Sequence, residues 1–327
     1  MTGSGAAGIA LIVGSAIAFG AMAIFARSAY ASGVDTPTLL ALRFALAACV
    51  LVALARLRHA SMPRGRDLAI LVAMGAIGYA SQSLAFFAAL TYAPAGVVAL
   101  LLYLYPALVA ILGALFLHEH LTAQRIAALV VALAGMALTV APAIASTGSA
   151  RPLGIALALA SAVIYSIYIV AGTRVASRVS PEATSATVCA AAAAVYIGIA
   201  LARGAHWPQS AAGWAAVVAI ALVSTAIAIT LFFAGLARVG ATRAATLSTI
   251  EPVVTVLLAA AVLDERIAPV QFAGGAMIVA AVWMLARAPG AGRGVTPAAP
   301  TPGGQTLVDR RSVAGKALPS DMYRTRE

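Results

Sequence analysis

Glu251 and Pro252 interrupt a long apolar run, in the sequence LSTIEPVV at 247–254. Proline removes a backbone hydrogen bond, kinks a helix and frees a nearby carbonyl group. Burial of the carboxyl group would favour its protonated form and make proton exchange feasible. Two interpretations stay open. Glu251 faces a cavity, where it binds a solute or exchanges a proton, or it bonds to hydroxyl groups such as those of Ser248 and Thr249 and locks a packed interface.

Arg43 is the other charge well inside an apolar segment, which spans 36–56. At 1.5 Å per helical residue, it lies about 10 Å from the nearer end of that segment. Its guanidinium group could pair with Glu251 or with the carboxylate of a substrate. A packing role, or an outward reach of the long side chain toward water, is the alternative.

Tyrosines and a few polar groups supply the remaining candidates for a substrate cavity. They are Tyr79, Gln82, Phe86, Tyr103, Tyr105, Tyr165, Tyr168 and Ser248. The first three recur at helical spacing and share one helix face, as do Tyr165 and Tyr168. Aromatic rings with polar tips suit a cavity that stacks on and hydrogen-bonds a small amphipathic solute. Packing, or a belt at the membrane interface, explains any single tyrosine equally well.

Acidic residues end two of the apolar segments, Glu119 in the first half of the chain and Asp264 with Glu265 in the second. An acid at a helix C-terminus interacts unfavourably with the helix dipole, so we expect basic partners such as Arg125 or Arg266. A structural or gating role at opposite membrane faces is favoured over contact with substrate.

The composition is that of a membrane protein. Apolar residues make up 63% of the 327 residues and charged residues 9%, whereas a soluble domain is roughly 45–50% apolar and about 25% charged. The net charge of +11 does not indicate a nucleic-acid partner. The basic residues lie between apolar segments or near the C-terminus, and they form no stripe with interleaved aromatic residues.

Ten segments are long and apolar enough to cross a bilayer, which takes about 20 residues per helix. They are 6–29, 36–56, 68–90, 95–117, 123–142, 153–173, 182–202, 212–236, 241–263 and 269–287. Their short connections make neighbouring helices antiparallel, so the sequence predicts an all-α protein that crosses the membrane ten times. Residues 288–327 are rich in Pro, Gly and Thr and then basic, which predicts a disordered cytoplasmic tail.

The distribution of Lys and Arg between alternate loops predicts the orientation. If the N-terminus is cytoplasmic, the cytoplasmic loops and tail contain 16 of the 21 basic residues and the outer loops contain four. Because cytoplasmic loops carry the excess of Lys and Arg, we expect both termini in the cytoplasm.

The two halves of the sequence repeat at a constant offset of 146 residues. FFAAL corresponds to FFAGL, and YPALVAILGALFLHEHL from Tyr105 corresponds to EPVVTVLLAAAVLDERI from Glu251. Pro106 and Pro252 are therefore equivalent helix breaks, whereas Glu251 replaces a tyrosine. With five helices in each half, the second repeat must insert upside down. Transporters use such inverted repeats to open one midplane site to either side.

Each half resembles an EamA domain of the drug/metabolite transporter superfamily. The resemblance rests on LRF at 42–44, on YP with HEHL in the first copy, and on EP with DERI followed by QFAGGAMIVAAV in the second. It implies two domains, 6–142 with helices 1–5 and 153–287 with helices 6–10, around a central cavity lined by both. It also implies transport of a small metabolite, often export of an amino acid or a related compound.

Residues and resemblance together predict a secondary transporter that exports a small organic metabolite, such as an amino acid, by alternating access across a bacterial plasma (inner) membrane. Its partners would be the metabolite and the lipid bilayer, with protons as a candidate coupling ion. An uptake permease of the same fold is the alternative. An intramembrane enzyme would need a catalytic pair at membrane depth, where Glu251 is the one acid. No cofactor or metal is expected, since GSGAAG at 3–8 follows no strand and HEH at 118–120 lacks zinc-site spacing.

Overall fold

The computed structural model describes residues 3–90, 92–93, 95–145, 151–263 and 267–287, and within them it contains helices and short connections but no strand. Ten helices are long and apolar enough to cross a membrane: α1 (Gly5–Ala31), α2 (Thr36–Leu57), α3 (Gly65–Ala89), α4 (Val97–Leu117), α5 (Ala123–Pro142), α6 (Pro152–Ala176), α7 (Pro181–Arg203), α8 (Ala211–Val239), α9 (Ala241–Val262) and α10 (Pro269–Arg287). This confirms the all-α, ten-helix prediction. The predicted tail at 288–327 lies outside the described residues.

Side chains just before several helices explain where those helices begin. Asp35, Ser180 and Ser210 precede α2, α7 and α8, and each accepts a hydrogen bond from the backbone N–H three residues later. This bond satisfies one of the donors that a helix N-terminus leaves free. Pro37 and Pro181 lie in the first turns of α2 and α7, where the missing N–H of proline costs nothing.

Helices α4 and α9 are both broken, at equivalent places in the two repeats. Their parts are α4a (Ala95–Leu102), α4b (Tyr105–Leu117), α9a (Ala241–Leu247) and α9b (Glu251–Leu263). A turn at 103–104 separates the parts of α4, and a 3₁₀ turn at Ser248–Ile250 separates those of α9. Pro106 and Pro252 are the second residues of α4b and α9b. Each half-helix therefore restarts where proline is tolerated, because the first helical N–H groups need no intrahelical partner.

A second kind of irregularity occurs once in each repeat. Helix α3 contains a π-helical turn at Met74–Tyr79, and α8 contains one at Leu222–Ile227. A π turn accommodates one extra residue in an α-helix and is frequent at functional sites. Both turns lie within the third helix of their repeat, and the apolar pattern of the sequence did not indicate them.

The extensive helix interfaces join the two repeats. Helix α2 packs along α7, α5 along α10, and α1 along α8. Small residues permit these close approaches, as they do in other membrane bundles. At the crossing of α5 and α10, a Cβ atom on Gly274 would lie 2.5 Å from the carbonyl oxygen of Gly135.

The start of the first helix and the finish of the last helix lie at the same end of the bundle. Gly8 of α1 lies against Val239 at the end of α8. Arg243, near the start of α9, donates to the carbonyl group of Leu285 near the end of α10. We call this end of the bundle the terminal face, and the other end the opposite face.

The contact between Gly135 and Gly274 predicts that Gly274→Ala destabilises the protein. The added methyl group meets the facing backbone, and overpacking of this kind costs about 1–3 kcal/mol. The midpoint of thermal unfolding in detergent should therefore fall.

Gly198→Ala is the matched control, because a Cβ atom there meets nothing within 4 Å. It should leave the midpoint unchanged or raise it, since alanine favours a helix by about 1 kcal/mol over glycine. Equal midpoints for the two variants would contradict a tight α5–α10 crossing.

Candidate functional site

Arg43 is buried in the middle of the bundle and is bonded to both repeats. Its side chain is 6% exposed. The Nε atom donates to Oγ1 of Thr225 at 2.7 Å, and the Nη2 atom donates to the hydroxyl group of Tyr79 at 3.0 Å. The guanidinium group also lies 4.8 Å from the centre of the Phe44 ring. These contacts compensate a buried charge, which is costly without partners.

Both hydrogen-bonding partners of Arg43 belong to π turns. Tyr79 ends the π turn of α3, and Thr225 lies within that of α8. The Thr225 hydroxyl group donates to the carbonyl oxygen of Ile220 at 2.9 Å, five residues earlier, and accepts from Arg43. The hydroxyl group therefore uses its O–H to donate and one of its lone pairs to accept. With both hydrogen bonds formed, the threonine holds the guanidinium group in one orientation.

A chain of aromatic rings begins beside Arg43 and ends beside Glu251. In order, the rings are those of Phe44, Tyr79, Tyr168, Tyr165, Tyr105 and Tyr103, with successive centres 4.8–6.1 Å apart. These separations are favourable for edge-to-face and offset ring contacts. The structure thus brings five of the predicted tyrosines into one cluster, with contributions from α2, α3, α4 and α6.

Glu251 begins α9b at the far end of this chain of rings and is half-buried. The Tyr103 side chain lies beside its carboxyl group, and Arg43 is close enough to act on that group electrostatically. Within the described residues Arg43 donates to hydroxyl groups and not to this carboxylate. Among the described contacts, the guanidinium group and the carboxyl group therefore lie within electrostatic range of each other without forming a direct ion pair.

The hydroxyl groups next to Glu251 along the chain are bonded elsewhere. Ser248 donates to the carbonyl oxygen of Ala244 at 2.9 Å, and Thr249 donates to that of Thr246 at 2.7 Å. They are therefore not the donors that would lock Glu251 into a packed interface. The break is nevertheless tightly enclosed, because a Cβ atom on Gly20 of α1 would lie 2.8 Å from the carbonyl oxygen of Glu251.

Gln82 and Phe86 lie further along α3, outside the chain of rings. The side-chain amide group of Gln82 donates to Oγ of Ser161 at 3.0 Å, and this hydroxyl group donates to the backbone carbonyl oxygen of Gln82 at 3.1 Å. Phe86 packs against Phe87 and a small apolar cluster formed by α3, α4a and α6. Gln82 thus joins α3 to α6, and neither residue contacts Arg43 or Glu251 in the described contacts.

A separate cavity of about 250 Å³ lies between α5, α9b and α10. Its lining is mostly apolar, with Val253 and Phe272 among its walls, and its polar groups belong to Thr139 and Gln271. The Gln271 amide group donates to the carbonyl oxygen of Thr139 at 3.3 Å. None of the residues predicted to line a substrate cavity lines this one.

Glu119 has partners other than the arginines expected from the sequence. Its two carboxylate oxygens accept from the backbone N–H groups of Ala241 and Thr242 at 2.7 and 3.1 Å. Arg125 instead donates to the carbonyl oxygen of His120 at 2.8 Å. The N-terminus of α9 carries the positive end of the helix dipole, so it stabilises this carboxylate without a basic side chain.

The other predicted acids, Asp264 and Glu265, lie outside the described residues, as does Arg266. Among the residues that are described, no group of three or more His, Cys, Asp and Glu side chains is placed to hold a metal ion. Among the described side chains, this centre therefore offers the guanidinium group of Arg43, the carboxyl group of Glu251 and the hydroxyl groups of the tyrosines and Thr225.

Thr225 is a polar residue of this centre that the sequence did not reveal. It lies in an apolar run, LVSTAIAI, and carries no charge. Its position in the third helix of the second repeat, opposite Arg43, follows only from the fold. A π turn depends on hydrogen-bond geometry, and hydrophobic periodicity does not report it.

The Thr225 contact predicts that Thr225→Val destabilises the protein, because it leaves Nε of Arg43 buried without a partner. Loss of a partner for a buried charged group costs about 1–3 kcal/mol or more. The thermal midpoint in detergent should fall, and Thr225→Ser should restore most of it.

Thr230→Val is the control for this measurement. Thr230 donates to the carbonyl oxygen of Ala226 at 2.7 Å and, in the described contacts, bonds to no charged group. If Thr225→Val and Thr230→Val lowered the midpoint equally, the bond to Arg43 would have no special weight.

Comparison with known proteins agrees with this architecture. A model of the EamA-like transporter family matches residues 6–141 and 152–287. The Bacillus subtilis (strain 168) protein named "Uncharacterized transporter YcbK" is 27% identical over 278 residues, which cover 82% of this chain and 89% of that protein. One solved crystal structure superimposes with a TM-score of 0.75 at 26% identity, over 85% of this chain and 96% of the other.

Proposed function

Because the chain belongs to the EamA-like transporter family, we propose that it exports a small organic metabolite, an amino acid or a related compound, across a bacterial plasma membrane. Both termini would be cytoplasmic, and transport would proceed by alternating access around the centre of the bundle. One observation carries the proposal: Arg43 and Glu251 lie at the two ends of a single chain of tyrosine rings.

This arrangement suits a zwitterion. Each charged group of a solute needs a partner when it leaves water. A carboxylate would bind near Nη1 of Arg43, since the other two guanidinium nitrogens are already bonded to Thr225 and Tyr79. An ammonium group would bind near Glu251, and an apolar or aromatic side chain would lie along the rings.

The paired helix breaks support movement around this centre. Broken helices at corresponding positions of two repeats are the usual location of a transport site. Tyr103 lies in the break of α4 at 103–104, and Glu251 directly follows the break of α9 at 248–250. A change in the angle between α9a and α9b would therefore move Glu251 relative to Arg43.

Export is proposed over uptake on the family resemblance, and an uptake permease of the same fold is the alternative. The excess of basic residues on one side supports cytoplasmic termini. An intramembrane enzyme is disfavoured, since a transporter family matches both halves and, among the described residues, the side chain beside Glu251 is that of Tyr103 and not a second acid.

Flux through purified protein in liposomes tests the proposal. The panel consists of labelled amino acids, each tested beside the amine that lacks its carboxylate. For at least one such pair, the amino acid should cross the membrane and the amine should not. The amine should be rejected, because Arg43 then has no anion to bind. Absence of flux for the whole panel, in liposomes that contain folded protein, would contradict amino-acid transport.

Glu251→Gln should slow transport of the accepted solute at least tenfold and remove its dependence on an imposed pH gradient, because the amide neither binds an ammonium group as an anion nor exchanges a proton. Glu182→Gln is the control, since Glu182 pairs with Arg58 at 2.8 Å on the terminal face. Unchanged rate and pH dependence in a folded Glu251→Gln variant would rule out this role for the carboxyl group.

A further inference from the structure

The broken helices α4 and α9 approach each other at one end only. The half-helix α4b packs against α9a at the terminal face. The internal repeat makes α4a and α9b the equivalent pair at the opposite face. In the part of the chain described, these two halves form no comparable interface. The gap between α4 and α9 is thus closed toward the terminal face.

Glu119 makes the polar contact that joins the closed halves at their terminal-face ends. Nearer the two helix breaks, the Tyr105 hydroxyl group of α4b also donates to the carbonyl oxygen of Ala245 in α9a, at 3.4 Å. The chain leaves α4b through His118, whose φ of 54° is in the left-handed region. The N–H group of Glu119 then bonds back to the carbonyl oxygen of Gly113 at 3.1 Å. This turn directs the carboxylate across the repeat boundary to Ala241 and Thr242, at 2.7 and 3.1 Å.

Two glycines enclose this carboxylate. Gly240 has a φ of 82°, and a Cβ atom there would lie 2.7 Å from Oε1 of Glu119. On the other side, a Cβ atom on Gly113 would lie 3.3 Å from Oε2. Both glycines therefore leave the space that the carboxylate occupies, and Gly240 also adopts a backbone conformation that disfavours side chains.

The contact is strong and also breakable. A carboxylate that accepts from two N–H groups forms charge-assisted hydrogen bonds, which are roughly twice as strong as neutral ones. The half-buried Glu119 side chain can nevertheless exchange these N–H groups for water. The 3₁₀ turn at Ser248–Ile250 lies at the far end of α9a, where the half-helix can swing.

We propose that Glu119 is a latch that holds the passage between α4 and α9 closed at the terminal face. Release of its carboxylate from the N–H groups of Ala241 and Thr242 uncouples the terminal-face ends of α4b and α9a, and the passage then opens to that face. The latch acts on the resting protein, so it requires no particular solute and does not depend on the proposed substrate.

The two ion pairs that the described residues form at the terminal face do not serve this purpose. Arg58 pairs with Glu182 at 2.8 Å, and Arg178 pairs with Asp67 at 3.2 Å. The first pair joins the end of α2 to the first turn of α7, and the second joins the connection after α6 to the first turn of α3. Neither joins α4 to α9. The two arginine side chains are 62% and 54% exposed, and exposed pairs contribute little.

Cysteine accessibility measures the state of the passage. The reporter is Ser248→Cys, at the end of α9a, in the full-length chain with Cys49→Ser and Cys189→Ala. A membrane-impermeant maleimide is applied to either side of membrane vesicles, without added solute. A separate chain with Arg58→Cys identifies the side that carries the terminal face, since Arg58 is exposed there.

Glu119→Gln should raise the labelling rate from the terminal face about tenfold or more. The amide replaces one of the two accepting oxygens by an NH₂ group, which cannot accept a hydrogen bond from the N–H group that it faces, so the latch is weakened. A tenfold change corresponds to about 1.4 kcal/mol. Gly240→Ala should do the same by displacing the carboxylate, and it keeps the test decisive if Glu119→Gln does not fold.

Two controls match these variants. Glu182→Gln removes a carboxylate of the same face, and Gly204→Ala places a Cβ atom at a similar φ of 83° with nothing within 4 Å. Both should label at the parent rate. Parent-like labelling of folded Glu119→Gln and Gly240→Ala, or an equal increase in the controls, would overturn the latch. Failure of amino-acid flux would leave these rates unaffected, so the two proposals are tested separately.

Discussion

One guanidinium group organises the centre of this protein. Arg43 is buried at mid-bundle, and its charge is satisfied by one hydroxyl group from each repeat, those of Tyr79 and Thr225. Each hydroxyl group is presented by a π turn. The π turns of α3 and α8 and the start of the tyrosine chain thus meet at one buried cation, whose charge needs partners inside the protein.

The same requirement acts at the breaks of α4 and α9. A half-helix in a membrane has free N–H groups at each start, and these need partners inside the protein. Pro252 and the 3₁₀ turn reduce that need at the start of α9b, while Glu119 supplies acceptors at the start of α9a. Glu119 and Glu251 thus both lie where the regular hydrogen bonding of a helix stops.

The comparisons and the geometry contribute different things. The family match and the ten helices make this a multi-pass membrane transporter. Neither identifies a solute, and the named relative is itself described as an uncharacterized transporter. The proposed zwitterionic substrate comes from the placement of Arg43 and Glu251, and the proposed latch comes from the unequal packing of the two halves of α4 and α9.

The sequence by itself determined the ten apolar helices, the duplication and the prolines at both helix breaks, because apolar length, repeat offset and residue type can be read along the chain. It also singled out Glu251, Arg43 and the tyrosines. Only the tertiary structure decided the partners, since Thr225 is 182 residues from Arg43 and Ala241 is 122 residues from Glu119. Hydrogen bonds over such separations depend on how helices pack, and a helix N-terminus satisfies a carboxylate without any basic residue that a sequence pattern would show.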